Sequence, residues 1–321
     1  LKVKTEIELR GGPNGDGGEA KNTKTSGLGN DIKFEYIPFA YSNGKNLLFR
    51  NIEPVRKVFD VLGDESNYPV FFHCRIGTDR TGLIGLLVNA LVGVELQDIY
   101  QDYLFSDFGR IGKTSTVGQN NEDSIAGYVQ QLQAFPGDTL QNKVYNFLLT
   151  AGVPAAKLDT LINVLTEGDK PTNSANKIAV TTVDNMTLTG AAMTSKTATR
   201  SPAKQANFTA ANQKASYTFT SDKAFSAKLF ANIMSKNTSL TIANAFTVTI
   251  DGTPVTLKTT SFATTSLGFG TQAEYWIPAE FADITVPAGS HTIVIETKTA
   301  TAISLSQIAF QMDTNAIITK A

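Results

Sequence analysis

The sequence is short of the residues from which disulfide frameworks and metal centres are built. Its 321 residues include one cysteine and two histidines. One cysteine excludes an internal disulfide and a multi-cysteine zinc site, and two histidines leave little for a histidine-built metal site. We therefore expect no metal and no cofactor, and the single Cys74 is either an inert core residue or a residue that carries chemistry.

An excess of charge of either sign is also missing. The 28 Lys and Arg against 29 Asp and Glu leave a net charge of -1, so neither nucleic acid nor an anionic membrane finds a general attraction. No apolar run reaches the roughly 20 residues that a membrane-spanning helix needs, and no signal peptide opens the chain. Because the chain begins at Leu1 rather than Met, we expect residues upstream, which leaves export open.

A change in composition near residue 168 predicts two domains. Residues 1–168 hold 16 Lys and Arg, 20 Asp and Glu and 11 threonines, whereas residues 169–321 hold 12, 9 and 29 of these. The stretch from Gly168 to Pro171 is rich in turn residues, as linkers between domains are. We expect an α/β domain over residues 1–168 and a β-sandwich over residues 175–321.

Strand-like and helix-like patterns alternate in the first part. Alternation of apolar and polar residues predicts strands over 3–9 and 34–39, and the short apolar run 70–72 predicts a buried central strand. Apolar residues at helical spacing predict six helices, over 51–62, 81–92, 96–105, 125–135, 139–150 and 155–165. This order of elements indicates an α/β domain.

The second part is almost entirely alternating and predicts ten short strands without a helix. These strands cover 178–183, 186–188, 215–220, 225–233, 245–250, 253–258, 273–277, 284–286, 291–296 and 303–310. Asp251-Gly252 predicts a hairpin turn, because glycine supplies the positive φ of a tight reversal. Many short strands separated by turns indicate a jelly-roll type of sandwich.

The segment from His73 to Gly82 offers what the hydrolysis of a phosphate ester through a cysteine requires. The predicted buried strand delivers Cys74 to a loop that runs into a helix, so the N–H groups of residues 75–80 can converge on one anion. The helix N-terminus favours the thiolate form of the cysteine. Arg80 can hold two phosphate oxygens with its planar fork, and Thr81 can donate its hydroxyl to the sulfur. A lone cysteine beside a strand is more often an apolar core residue, but this loop context reverses the odds.

His-Cys, five residues and Arg-Thr resemble the signature of the cysteine-based protein tyrosine phosphatase superfamily. Gly77 and the run from Asp79 to Gly82 resemble a bacterial branch with atypical specificity, which includes enzymes acting on phosphoinositides. The segments Ile7 to Arg10, Tyr103 to Asp107 and Ala151 to Leu165 resemble further parts of that branch. The resemblance covers most of residues 1–168.

The resemblance implies metal-independent hydrolysis through a phosphocysteine intermediate, with Cys74 as the nucleophile. His73 is expected to be structural and to hydrogen-bond the loop. For Arg75 and Thr78, side chains that simply face solvent are an alternative. The residues that this resemblance implies as the phosphate-binding loop are Arg75, Ile76, Gly77, Thr78, Asp79 and Arg80.

The general acid has several candidates. Asp79 stands directly before the arginine, where the branch is thought to keep the residue that protonates the leaving oxygen, and a structural role for it is an equal alternative. Asp107 lies on a segment that could close over the site. Asp16 and Asp31, in and just beyond a Gly-rich region, lack the Trp-Pro-Asp setting of most tyrosine phosphatases.

The order of segments in residues 175–313 resembles galactose-binding-like jelly rolls, the carbohydrate-binding modules of families 6 and 35. This resemblance implies an exposed aromatic platform for a sugar. Tyr275 and Trp276 are adjacent, so in a strand one of them faces outward; a core position for Trp276 is an equal alternative. A calcium site is not indicated, because this half is poor in acidic residues.

These patterns and resemblances together predict an exported or surface-associated bacterial phosphatase with an accessory sandwich, for which a glycan is a candidate ligand. Residues 1–168 have a net charge of -4, and Thr78 stands where phosphoinositide-acting relatives tend to carry a lysine, so we expect phosphotyrosine-like aryl phosphates to be preferred. The alternatives are a phosphatase of phosphoinositides or inositol phosphates and a catalytically idle, glycan-binding adhesion protein.

Overall fold

A computed structural model describes most of the chain, and its described residues fall into two units. The first unit comprises Leu1–Leu132 and Thr139–Asn173, and the second comprises Gln133–Asp138 and Ser174–Ala321. The described residues are 2–11, 25–40, 47–106, 124–167, 178–195, 204–235, 237, 239–261 and 276–321.

The first unit contains a parallel sheet of three strands. These are β1 (Thr5–Glu8), β2 (Lys33–Tyr36) and β3 (Val70–His73), in the order β2-β1-β3. The register pairs Glu6 with Phe71 and Glu8 with His73. Residues paired in this way lie on the same face of a sheet, and the intervening Ile7, which is fully buried, lies on the other face.

Helices α1 to α7 accompany this sheet within the described part of the chain. They are α1 (Leu47–Arg50), α2 (Ile52–Leu62), α3 (Asp79–Leu91), α4 (Leu96–Leu104), α5 (Ile125–Gln133), α6 (Leu140–Thr150) and α7 (Ala155–Leu165). On α2, the apolar Val55, Val58, Phe59 and Leu62 form one buried face, as their spacing predicts. Helix α3 is apolar nearly all round, and it packs against both α4 and α6, so more than one of its faces is buried. None of the helices in the described ranges combines the length and the apolar character that a membrane crossing requires.

The second unit consists of antiparallel strands in two sheets. The strands are β4 (Ile178–Thr182), β5 (Thr187–Thr189), β6 (Ala192–Ser195), β7 (Lys204–Phe208), β8 (Lys214–Ser221), β9 (Phe225–Ser235), β10 (Phe246–Ile250), β11 (Thr253–Pro254), β12 (Ile277–Val286), β13 (Gly289–Thr297), β14 (Ile303–Met312) and β15 (Ile318–Lys320). One sheet has the order β12-β9-β14-β7-β6, with β4 also paired to β14, and the other has the order β11-β10-β13-β8-β15, with β5 also paired to β8.

The core of this unit lies between the two sheets. On β8 the residues Ala215, Tyr217 and Phe219 are buried at alternate positions. The ring of Phe219 lies 5.3 Å, between centroids, from that of Phe310 on β14 of the other sheet. The sheets therefore pack face to face as a sandwich, and the predicted fold class, an α/β domain followed by an all-β sandwich, is confirmed.

Details of the second unit differ from the sequence prediction. The prediction of no helix is wrong, because α8 (Ile242–Ala245) precedes β10 and is capped by Thr241, whose hydroxyl accepts a hydrogen bond from the backbone N–H of Asn244. The separate strand predicted over 284–286 is the end of the ten-residue β12. Strands β6, β7 and β15 were not predicted, because short polar strands held by their neighbours carry no clear alternation.

The hairpin predicted at Asp251-Gly252 joins β10 to β11. Both residues have positive φ, 52° and 79°, which is the backbone of a type I′ turn. The Asp251 carboxylate accepts from the backbone N–H of Thr292 at 2.8 Å and lies 2.7 Å from Nδ1 of His291. These hydrogen bonds, that from His291 foremost, hold the pKa of Asp251 below its usual value.

The glycines of α3 provide a test of its packing. A Cβ at Gly82 would lie 2.9 Å from Cδ2 of Tyr103 on α4, whereas a Cβ at Gly85 would come no closer than 3.8 Å to a side chain. We predict that Gly82→Ala lowers the free energy of unfolding by about 1–3 kcal/mol, because the aromatic ring must move. Gly85→Ala, the matched control, should leave it unchanged or raise it, since alanine favours a helix. Urea denaturation measures both, and equal effects of the two substitutions would contradict this packing.

Candidate active site

The carboxyl end of β3 delivers Cys74 to a short loop. His73 ends the strand, Cys74 follows with 6% of its surface exposed, and α3 begins at Asp79. In a parallel sheet the carboxyl ends of the strands share one edge, which is where such folds bind their ligands. Cys74 therefore lies between the ligand-binding edge of the sheet and the N-terminus of a helix.

Gly77 lets the loop turn into the helix. Its φ is +78°, a conformation that residues with a side chain rarely adopt, and a Cβ placed there would meet no atom within 4 Å. A glycine is therefore favoured here because of the positive φ, and not because a side chain would collide with its neighbours. A positive φ next to helical residues is the backbone pattern of an anion-binding nest.

Arg80 is the buried cation of this loop. Only 3% of it is exposed, although it occupies the first turn of α3 directly after Asp79. Burial of a charged side chain is costly unless opposite charge or hydrogen bonds accompany it, and a guanidinium suits two oxygens of one phosphate group. Arg75 and Ile76, in contrast, are exposed.

The environments of Thr78 and Thr81 differ from those predicted from the sequence. The alternative in which Thr78 faces solvent is wrong: it precedes α3 as the N-cap residue, is fully buried, and has a hydroxyl without a hydrogen-bond partner. The hydroxyl of Thr81 is likewise buried and without a partner. The predicted hydrogen bond from Thr81 to the sulfur of Cys74 is therefore absent.

His73 lies between a carboxylate and a carbonyl group. Its Nε2 is 2.8 Å from Oε1 of Glu6, and its Nδ1 is 3.3 Å from the backbone oxygen of Cys74. The other carboxylate oxygen of Glu6 accepts from the hydroxyl of Ser26. Burial alone would raise the pKa of Glu6, but the hydrogen bonds from Ser26 and His73 and the charge of His73 hold it below its usual value.

Glu8, on the same face of β1, is paired with Arg10. Its Oε2 accepts from Nε of Arg10 at 2.8 Å and its Oε1 from the backbone N–H of Arg10 at 2.9 Å. Sequence reasoning missed Glu6 as a site residue. The available signal was two glutamates at alternate positions of the strand predicted over 3–9, because charged side chains are rarely buried unless they are paired.

The parallel topology separates the candidates for the general acid. Asp31 lies just before β2, at the amino edge of the sheet, whereas Cys74 follows β3 at the carboxyl edge. Four strand residues place these edges about 13 Å apart, which excludes Asp31. Asp79 is half-buried and begins α3 beside Arg80, while Asp16 and Asp107 lie outside the described residues.

Trp276 does not form an exposed platform in the second unit. It is 5% exposed and its Nε1 is buried without a hydrogen-bond partner, so the prediction that it offers a surface to a sugar is wrong, because the indole packs inside the protein. Tyr275 lies outside the described residues. In the part of the chain that the structure describes, no group of three or more His, Cys, Asp and Glu could hold a metal ion.

The strand, the loop and the helix bring a buried cysteine and a buried arginine to the two ends of one short loop, an arrangement suited to binding an anion. Residues 19–151 match the tyrosine phosphatase family, and this match confirms the resemblance seen in the loop. The first unit thus carries a domain of that family. The chain matches none of the curated proteins with which it was compared.

Solved structures similar to this chain include three family 35 carbohydrate-binding modules. One from Clostridium thermocellum is 10% identical with a TM-score of 0.34, over 45% of this chain and 98% of that one. The module of Cellvibrio japonicus Abf62 is 11% identical with a TM-score of 0.34, over 44% and 98%. One from an environmental isolate is 19% identical with a TM-score of 0.28, over 36% and 74%.

Proposed function

We propose that this protein is a cysteine-dependent phosphatase that hydrolyses phosphomonoesters of the phosphotyrosine type through a phosphocysteine intermediate. The observation that carries the proposal is that two buried residues flank one short loop: Cys74 is buried at the carboxyl end of β3, and Arg80 is buried in the first turn of α3. Between them Gly77 supplies the turn that directs N–H groups toward one anion. Residues 1–168 form the catalytic domain in this proposal.

The reaction has two steps. The thiolate of Cys74 attacks phosphorus in line with the leaving oxygen; the P–O bond breaks, and the leaving oxygen takes a proton from Asp79. Arg80 and the loop N–H groups hold the three equatorial oxygens, whose charge they stabilise best in the transition state. Water, deprotonated by Asp79, then attacks the phosphocysteine, the P–S bond breaks, and phosphate and the thiolate are released.

The side chains around the loop favour an aryl phosphate. Ile76 is 48% exposed and offers an apolar surface beside the phosphate site, and Arg75 is the exposed cation of the loop. Thr78 is fully buried, so even a lysine at this position would need repacking to reach a polyanionic head group. Phosphotyrosine-like substrates therefore fit better than phosphoinositides.

The second unit, residues 175–321 in this proposal, is an accessory module, and the protein acts outside the cytoplasm or at the cell surface. The accessory role is supported by the separate core of this unit, which lies between its own two sheets; the location is carried over from the sequence resemblance. Glycan binding by this module stays a prediction from the sequence resemblance, since Trp276 is buried.

Cys74→Ser should lower turnover of p-nitrophenyl phosphate by about a thousandfold or more, because a serine hydroxyl without an adjacent base is a poor nucleophile. Binding of orthovanadate, measured by calorimetry, should persist and serves as the control for an intact loop. Undiminished turnover in Cys74→Ser would end the phosphatase proposal in this form.

Asp79→Asn should slow alkyl phosphates by about 10²–10⁴-fold more than p-nitrophenyl phosphate, because a good leaving group departs without a proton. The measurement is kcat/KM for both substrates. Asp98→Asn, in the exposed first turn of α4, is the matched control and should leave both values unchanged. Equal slowing of both substrates by Asp79→Asn would assign Asp79 a structural role.

A further inference from the structure

His73 faces two groups that only accept hydrogen bonds. These are the carboxylate of Glu6, 2.8 Å from Nε2, and the carbonyl oxygen of Cys74, 3.3 Å from Nδ1. A neutral imidazole carries one N–H and one nitrogen lone pair, so it can satisfy only one of these partners. The doubly protonated ring satisfies both.

Glu6 is held as the partner of that ring. It is 5% exposed, and its second oxygen accepts from Ser26, in the loop before β2. The carboxylate therefore has a donor on each oxygen and one orientation. A buried carboxylate also needs a positive partner, and His73 is the nitrogen base within hydrogen-bond reach of it.

Among the charged groups that the structure describes near His73, Glu6 is the one that forms a hydrogen bond with the imidazole ring. From β1, Glu8 lies 3.8 Å from Nε2, too far for a hydrogen bond, and both of its oxygens are used by Arg10. Along the chain His73 is followed directly by Cys74, and the charged residues Asp79 and Arg80 begin α3 after the loop. The Phe71 ring is stacked on the imidazole, with 5.1 Å between centroids, and so limits its rotation.

We propose that Glu6 is a positioning residue of the phosphatase reaction, which holds His73 doubly protonated and in one orientation beside the thiolate of Cys74. This inference rests on the proposed function. The positive ring favours the thiolate electrostatically, and its bond to the Cys74 carbonyl fixes the backbone from which the sulfur projects. Glu6 itself touches neither substrate nor sulfur in this scheme.

The charge of His73 is measurable directly, because the whole chain has only two histidines. In full-length protein labelled with ¹⁵N-histidine, the wild type should show two protonated nitrogens on His73 at pH 8. Glu6→Gln, which keeps the shape but loses the charge, should show the neutral ring with one protonated nitrogen. The signals of His291, bonded to Asp251 in the second unit, should not change and serve as the internal reference.

The kinetic consequence is a change in pH profile. Low pH favours the charged form of any imidazole, so kcat/KM for p-nitrophenyl phosphate should be similar in the two proteins at pH 5.5, whereas at pH 8 Glu6→Gln should be about tenfold slower. Glu35→Gln is the matched control: Glu35 is on β2 of the same sheet, on the opposite face and bound to Lys33. Its ratio to the wild type should not depend on pH.

Ser26→Ala keeps Glu6 and removes one of its hydrogen-bond donors, so its kcat/KM at pH 8 should also fall, by a smaller factor. This variant tests the inference even if Glu6→Gln fails to fold. A neutral His73 in the wild type, or a pH-independent ratio with unchanged histidine signals in both variants, overturns the inference while the phosphatase proposal stands. A wild type without any phosphatase activity overturns the proposed function and the kinetic claim, and the histidine signals then decide the charge of His73.

Discussion

The parallel pairing of β1 with β3 is the constraint on which the candidate site depends. It is only four residues long, yet it sets Glu6 and Glu8 on the same face as His73 and aligns the carboxyl ends of the strands. Alignment of these ends places Cys74 at the edge where ligands bind. A shift of register by one residue would turn both glutamates away from His73.

This ladder also explains why two carboxylates are tolerated in a buried strand. Glu8 is neutralised by Arg10, two residues further along the chain, and Glu6 is bound by His73 and Ser26 from other segments. Buried charges are expensive when alone and acceptable when each is paired and hydrogen-bonded. The face of β1 that carries Glu6 and Glu8 is therefore buried through hydrogen bonds and ion pairs rather than through apolar contacts.

The elements and the loop were predictable from the sequence because their signals are local. Spacing of apolar residues predicts α2 and α3, and the offsets of Cys74, Gly77 and Arg80 predict a phosphate loop between a strand and a helix. Local signals fail where the environment is made by distant segments. Thr78 and Trp276 are buried by the packing around their side chains, and His73 is bound by Glu6, which is far away in sequence. No spacing rule contains that information.

In the proposed reaction Cys74 carries the phosphoryl group during turnover. Rapid quenching of the full-length protein with an aryl phosphate, followed by mass spectrometry of its peptides, measures this directly. One phosphoryl group should appear on the peptide that contains Cys74, formed and lost at rates compatible with turnover. Turnover without any phosphoryl group on Cys74 would mean that Cys74 is not the nucleophile.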